Sequence, residues 1–368
     1  MREIVPSADI PNDPATALEF PSALIDIGEL HADGEAGRAP SFDEFLDETS
    51  TDGMVIVHGG QIVCERYSNG MTAETPHILM SVSKSLLGLL VGVLVARGDL
   101  KPDRPVTDVI PEVTATAYRG ATIRHLLDMR AGVAFDEDYL ATSGPIIAYR
   151  KAANWSPLEP GDPPADLRSF YRDLTKSAGP HGGPFNYVSP NTDLLGWVIE
   201  RAVGVRYADL ISELLWKPMG AARSAYITVD RLGAPRCAGG MCTTVRDLAR
   251  VGQLMVQEGA RGSRQILPAD WIDDITQNGD ADAWAAGSFI NYYPGLPIRY
   301  RSKWYVANGQ APLLFGLGIH GQNLFVDRER EIVIAKMSSQ ALPLDAARIR
   351  LTMRAVSQIR HFVGRALG

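Results

Sequence analysis

The segment Leu79-Met80-Ser81-Val82-Ser83-Lys84-Ser85-Leu86 runs into the longest apolar stretch of the chain, Leu86 to Ala96. From Ser81 to Arg97 almost every position is apolar or small, which predicts a helix buried on all sides. The stretch is broken by Gly88 and Gly92 and is too short to span a bilayer. On a helix, Ser81 and Lys84 share one face, about 4.5 Å apart along the axis. A serine hydroxyl is a poor nucleophile until a base takes its proton. A lysine can be that base only when its amine is neutral, and desolvation favours the neutral form. An ammonium buried there without a task would be costly. Against this, a Ser-x-x-Lys tetrad also arises by chance, and Ser81 can serve simply as an N-cap.

Working outward, Met54-Val55-Ile56-Val57-His58 and Gln61 to Tyr67 flank Gly59-Gly60, the pattern of a β-hairpin. A second strand pair is expected at Gln322 to Asp327 and Glu331 to Met337. A closing helix follows over Asp345 to Leu367, with Ile349, Met353, Val356, Ile359, Phe362 and Val363 on one face. The middle reads as helices at Thr122 to Met129, Asn191 to Val203, Tyr207 to Trp216 and Thr243 to Glu258. The last is capped by Thr243 or Thr244 and stopped by Gly259. Residues 140 to 186, rich in Pro and Gly, are expected to be long loops over a site. Residues 1–50 read as an arm over the body, with a helix at Ser41 to Glu48 opened by the capping box Ser41/Glu44. The division is therefore an arm (1–50), an α/β lobe from both ends of the chain (51–75 and 236–368), and a mainly helical lobe (76–235) carrying Ser81. The two lobes act as one unit with a cleft between them.

Two further segments can face that cleft. In Phe185-Asn186-Tyr187-Val188-Ser189-Pro190-Asn191, Tyr187 precedes a helix and can pass a proton as phenolate or phenol. A half-buried structural tyrosine is the plainer alternative. In Phe315-Gly316-Leu317-Gly318-Ile319-His320-Gly321, the glycines leave a strand edge bare for a substrate backbone. A backbone N–H there can complete an oxyanion hole with the N–H of Ser81. A β-bulge without ligand is the alternative, and His320 reads more readily as a hydrogen-bonded structural residue than as a base. Asp136-Glu137-Asp138-Tyr139 could bind a cation but reads more readily as a solvated acidic loop, from which Tyr139 can touch substrate. Gly239 to Thr244 reads as a turn and helix cap.

Composition narrows the function. The 368 residues carry 36 Lys and Arg against 43 Asp and Glu, a net charge of −7, so no cationic surplus exists to neutralise phosphates and nucleic acid is not an expected partner. Three cysteines, Cys64, Cys237 and Cys242, make neither a disulfide framework nor a zinc site and read as buried thiols. No metal or cofactor is expected. The first residues lack the apolar core of a signal peptide, so a cytoplasmic protein without membrane attachment is expected. A homodimer is one option for an oligomeric state that the sequence does not set.

Taken together, Ser81/Lys84, Tyr187-Val188-Ser189 and Gly316-Leu317-Gly318 resemble the Ser-x-x-Lys, Tyr-x-Asn/Ser and glycine-strand motifs of the serine β-lactamase and penicillin-binding-protein superfamily. Thr122 to Met129 and Gly239 to Arg250 resemble its class C-like esterase branch. The ordered set Leu79–Leu86, Glu137-Asp138-Tyr139, Ser189–Asp193 and Ile319–Leu324 is most similar to the 6-aminohexanoate-dimer hydrolase family, from about residue 50 to the end. The resemblance implies a β-lactamase-like α/β (α+β) fold, an antiparallel sheet flanked by helices plus a helical lobe. It implies hydrolysis of small amides or esters through an acyl-enzyme, with carboxylesterase activity. Ser81 would be the nucleophile and Lys84 and Tyr187 the proton-transfer pair. The N–H groups of Ser81 and Ile319 would form the oxyanion hole. Tyr139 would meet the leaving amine, and Arg150, Gly318 and His320 would line the substrate site. Two departures stand out. Gly316 occupies the place of the β-lactam-recognising lysine, which argues against β-lactams and peptidoglycan, as does the absent signal peptide. Arg150 stands where amine-binding members carry an acid, and a cation there would repel an ammonium. An esterase or acyltransferase without amidase activity, and an acylated ligand-binding sensor, remain alternative readings.

Overall fold

The hydrophobic alternation at the two ends of the chain builds a single sheet. The computed structural model describes residues 1–27 and 40–367; the part of the expected arm between them lies outside the described residues. Chain order gives strands β1 (Ser7–Ile10), β2 (Thr51–His58), β3 (Gln61–Tyr67), β4 (His77–Ile78), β5 (Ala225–Thr228), β6 (Met241–Thr243), β7 (Ala260–Arg261), β8 (Arg264–Gln265), β9 (Ile298–Arg301), β10 (Trp304–Ala307), β11 (Leu313–Gly318), β12 (Gln322–Asp327) and β13 (Ile332–Ser338). The main sheet is antiparallel in the order β3-β2-β13-β12-β11-β10-β9. Gly59 and Gly60 turn the β2–β3 hairpin with φ of 54° and 79°, angles that an L side chain resists.

Helices α1 (Phe42–Glu48), α2 (Val82–Ala96), α3 (Ile123–Leu127), α4 (Pro145–Ala152), α5 (Leu167–Phe170), α6 (Pro190–Val203), α7 (Tyr207–Ile211), α8 (Lys217–Met219), α9 (Val245–Val256), α10 (Ala269–Gln277), α11 (Ala281–Ala285) and α12 (Ala346–Ala366) complete the chain. Successive strand residues point to opposite faces, so the sheet feeds two cores. Val55, Val57, Leu324, Val326, Val333 and Ala335 join the cluster that contains the leucines of α2 and α9. Met54, Ile56, Phe325, Ile332 and Ile334 join the cluster of α1 and α12. Ser41 and Glu44 form the expected capping box of α1, and Thr244 is the cap of α9.

Three expectations change. The segment 140–186 holds α4 and α5 as well as loops: Tyr149 and Leu167 bury apolar surface that the Pro and Gly count obscured. The arm contributes a strand, β1, to a second sheet ordered β1-β5-β6-β4. Phe362, placed on the apolar face of the last helix, is exposed; Val363 beside it is buried instead. The three cysteines are free and buried. No helix among the described residues is long and apolar enough to cross a membrane.

The second sheet matters for the site. β4 pairs with β6 through Ile78 and Cys242, and the Leu79 N–H donates to the Met241 carbonyl at 2.8 Å. This holds the entry to α2 in register with the Ala238–Gly240 turn. On the other side, β11 lies close against the same helix start. A Cβ on Gly316 would meet Ser85 Oγ at 2.8 Å, and one on Gly318 would meet the Leu79 carbonyl oxygen at 2.6 Å. The glycines therefore make room for the start of α2, and Gly318 lies next to Ile319 and Met80, which border the cleft at Ser81.

Candidate active site

Ser81 stands at the N-cap of α2 but makes no capping hydrogen bond with its side chain. The preceding residue, Met80, sits in the left-handed region at φ 46°, a conformation unusual for a side chain of that size. Freed from capping, the Ser81 hydroxyl faces Lys84, whose Nζ donates to Ser81 Oγ at 2.8 Å and to the Ala238 carbonyl at 2.6 Å. Lys84 is buried among the apolar residues of α2. Burial pushes its amine down to about 7, against an upward pull from the Glu137 and Asp193 carboxylates and with help from Arg236.

Tyr187 sits just before α6, which Pro190 opens at its first turn. Neighbouring backbone fixes its strand-like approach: the Asn186 N–H donates to the Met129 carbonyl at 2.8 Å and the Phe185 N–H to the Ala283 carbonyl at 2.9 Å. The Tyr187 ring lies 4.9 Å from Lys84 Nζ and packs on Phe289 at 4.7 Å. Its hydroxyl is within hydrogen-bonding reach of the Ser81 side chain. Burial pushes the phenol well above its usual range, with Glu137 adding to the rise, so it holds its proton at neutral pH. Of the two forms open from the sequence, the environment favours the phenol.

The cleft at Ser81 has a volume of about 260 Å³ and is bordered by Glu137, Tyr139, Arg150, Trp155, Ile319 and His320 among others. Among the described residues, no turn or loop hydrogen bond uses the N–H of Ser81 or of Ile319. The sequence thus brought Ser81, Lys84, Tyr187, Tyr139, Arg150, Ile319 and His320 to one place. His320 borders the cleft with its ring Nδ1 held against the Gln340 carbonyl at 2.7 Å and its backbone at φ 62°.

The acidic loop is only partly solvated. Glu137 is half-buried and points into the site: one oxygen accepts from the Tyr139 hydroxyl at 2.6 Å and from the Ser189 hydroxyl, and the other accepts from the Ser189 N–H. Its neighbours Asp136 and Asp138 are exposed, so composition alone hid one buried acid among three. The Asp193–Arg236 ion pair was also missed. Asp193 Oδ1 accepts from the Ala238 N–H at 2.7 Å while Oδ2 pairs with Arg236, and Arg236 also donates to the Tyr149 hydroxyl. The pair aims the Ala238 carbonyl at Lys84. An acid three residues after Pro190 inside an apolar helix was the available signal. Among the described residues, no group of three His, Cys, Asp or Glu side chains is arranged to hold a metal ion.

The fold and the family it belongs to define a serine hydrolase. The chain belongs to the beta-lactamase family, whose model matches residues 40–357. Within that family it is 35% identical over 338 residues to the 6-aminohexanoate-dimer hydrolase of Paenarthrobacter ureafaciens, covering 92% of this chain and 83% of the relative. A solved Bacillus anthracis structure, described as a proposed 6-aminohexanoate-dimer hydrolase, superposes with a TM-score of 0.89 at 28% identity, over 99% of this chain and 93% of that one. Esterase EstB of Burkholderia gladioli is 28% identical over 230 residues, 59% of this chain and 56% of the relative.

Proposed function

We propose that this enzyme hydrolyses small esters or amides through an acyl-enzyme on Ser81, with both lobes acting as one catalytic unit. The observation that carries the reading is the Lys84 amine, 2.8 Å from Ser81 Oγ at the wall of an open cleft. Burial leaves a large share of that amine neutral near pH 7, so it accepts the Ser81 proton as Oγ attacks the substrate carbonyl. The tetrahedral oxyanion is held by the N–H groups of Ser81 and Ile319. As the carbonyl re-forms, the bond to the leaving oxygen or nitrogen breaks. The Tyr187 hydroxyl gives that atom a proton and recovers one from the Lys84 ammonium. Water then repeats the sequence on the acyl-enzyme, giving the acid and free Ser81. Tyr139, oriented by Glu137, borders the leaving-group side. Similarity to a 6-aminohexanoate-dimer hydrolase and to an esterase supports a small amide or ester as substrate.

A fluorophosphonate probe should label Ser81 in the intact enzyme, and Ser81→Ala should abolish both labelling and turnover of a p-nitrophenyl ester. Steady turnover by Ser81→Ala would remove the nucleophile assignment. A single burst without steady release from the wild type would turn the reading towards an acylated sensor.

A further inference from the structure

Arg150 differs in its pairing from the other charged groups of the cleft. It lies in the last turn of α4, half-buried, and borders the same cavity as Ser81. One guanidinium nitrogen donates to the Tyr139 carbonyl at 2.8 Å. Among the described residues, no ion pair joins Arg150 to an acid. The nearby acids are engaged elsewhere: Lys151 takes Asp162 at 2.6 Å and Glu159 at 3.8 Å. Glu137 is capped by the Ser189 N–H, the Ser189 hydroxyl and the Tyr139 hydroxyl. The cleft's second arginine, Arg236, is already neutralised by Asp193. A guanidinium presents five donors in a planar fork suited to a carboxylate. Among the described residues most of that fork in Arg150 is unspent, at the border of the open cleft that holds Ser81.

We propose that Arg150 selects substrates that carry a carboxylate, so that the natural substrate is a short ester or amide with an anionic end. This rests on the hydrolase reading of the same cleft. The carboxylate would pair with the free face of the Arg150 guanidinium. A charge-assisted bond to a guanidinium predicts a preference of about tenfold or more over a neutral isostere. The preference should weaken as salt screens it.

Two substrate pairs locate the anion. The mono-p-nitrophenyl ester of glutaric acid is compared with p-nitrophenyl pentanoate, and 4-acetoxybenzoate with 4-acetoxybenzamide. In at least one pair the carboxylate member should show the higher kcat/KM by about tenfold. That ratio should fall to near one in Arg150→Gln and below one in Arg150→Glu. No preference in either pair, or a preference that survives Arg150→Gln, overturns the proposal. A readout independent of turnover is protection from the fluorophosphonate. Glutarate should slow labelling of Ser81 in the wild type and not in Arg150→Gln; equal protection in both contradicts the assignment. Failure of Ser81 to label at all would fault the hydrolase reading and this inference with it. Labelling without carboxylate selectivity faults this inference alone.

Discussion

Among the described residues two buried lysines donate to a serine hydroxyl, and they differ in what surrounds the serine. Lys84 donates to Ser81 on α2, and Lys336 donates to Ser338 on β13. Burial pushes both amines down to about 7. Yet Lys336 lies beneath the Phe45 ring at 6.0 Å, and Ser338 is locked by Gln322, whose amide donates to the Ser338 carbonyl at 2.6 Å. Nothing the size of a substrate reaches that hydroxyl, because both residues are buried in the sheet. Ser81 opens into a cavity of about 260 Å³, beside a tyrosine and two backbone donors. The difference teaches that a neutralised amine beside a hydroxyl is not sufficient. On the proposed mechanism, access, a second proton carrier and a place for the oxyanion are what set Ser81 apart.

Variants can break or sharpen that contrast. The largest effect is expected from Lys84→Met, which should lower kcat/KM for a p-nitrophenyl ester towards the upper end of about 10²–10⁴-fold, whereas Lys336→Met should stay within about threefold. Comparable losses in both would erase the distinction. Tyr187→Phe should cost about 10²-fold, and an unchanged rate would discard its role as proton carrier. The wild-type pH profile comes next. The base is needed neutral, so kcat/KM should rise as pH increases through about 7. Because both lysines share that value, Lys336→Met must leave the limb in place. Glu137→Gln removes a charge that favours the Lys84 ammonium, so the limb should move to lower pH; a shift upward would contradict the electrostatics.

The smallest effect concerns stability. Lys336 has a folded-state value of about 7, below its ordinary 10.5. The unfolded chain therefore binds the proton more readily. The resulting penalty is full below pH 7 and fades as pH rises to 10.5. Lys336→Met should raise Tm relative to the wild type most at pH 6 and least at pH 10. A gain that grows with pH would reverse the assignment.

Much of this was legible in the sequence because local chemistry decided it. Alternation marked β2, β3, β12 and β13; helical spacing marked α12; the capping box marked α1. Ser81, Lys84 and Tyr187 stood out because a hydroxyl and an amine on an apolar helix are conspicuous. What stayed hidden depended on distant partners. β1 forms only because β5, more than two hundred residues later, offers an edge. The β9–β10 hairpin is fixed by Asp128, which accepts from the Ser302 N–H at 2.9 Å and from Arg301 at 2.8 Å. Glu137 looked solvated because its partner, Ser189, is fifty-two positions away. The close approach of the β11 glycines to the start of α2 stayed hidden because that helix is also remote in sequence.

The most direct test is the rate of fluorophosphonate labelling at Ser81, followed by intact mass from pH 5 to 9 in the wild type, Lys84→Met and Lys336→Met. The account predicts that labelling accelerates with a midpoint near pH 7 in the wild type and in Lys336→Met, and is slow and flat in Lys84→Met. Labelling of Lys84→Met at the wild-type rate, or with the wild-type midpoint, would contradict it.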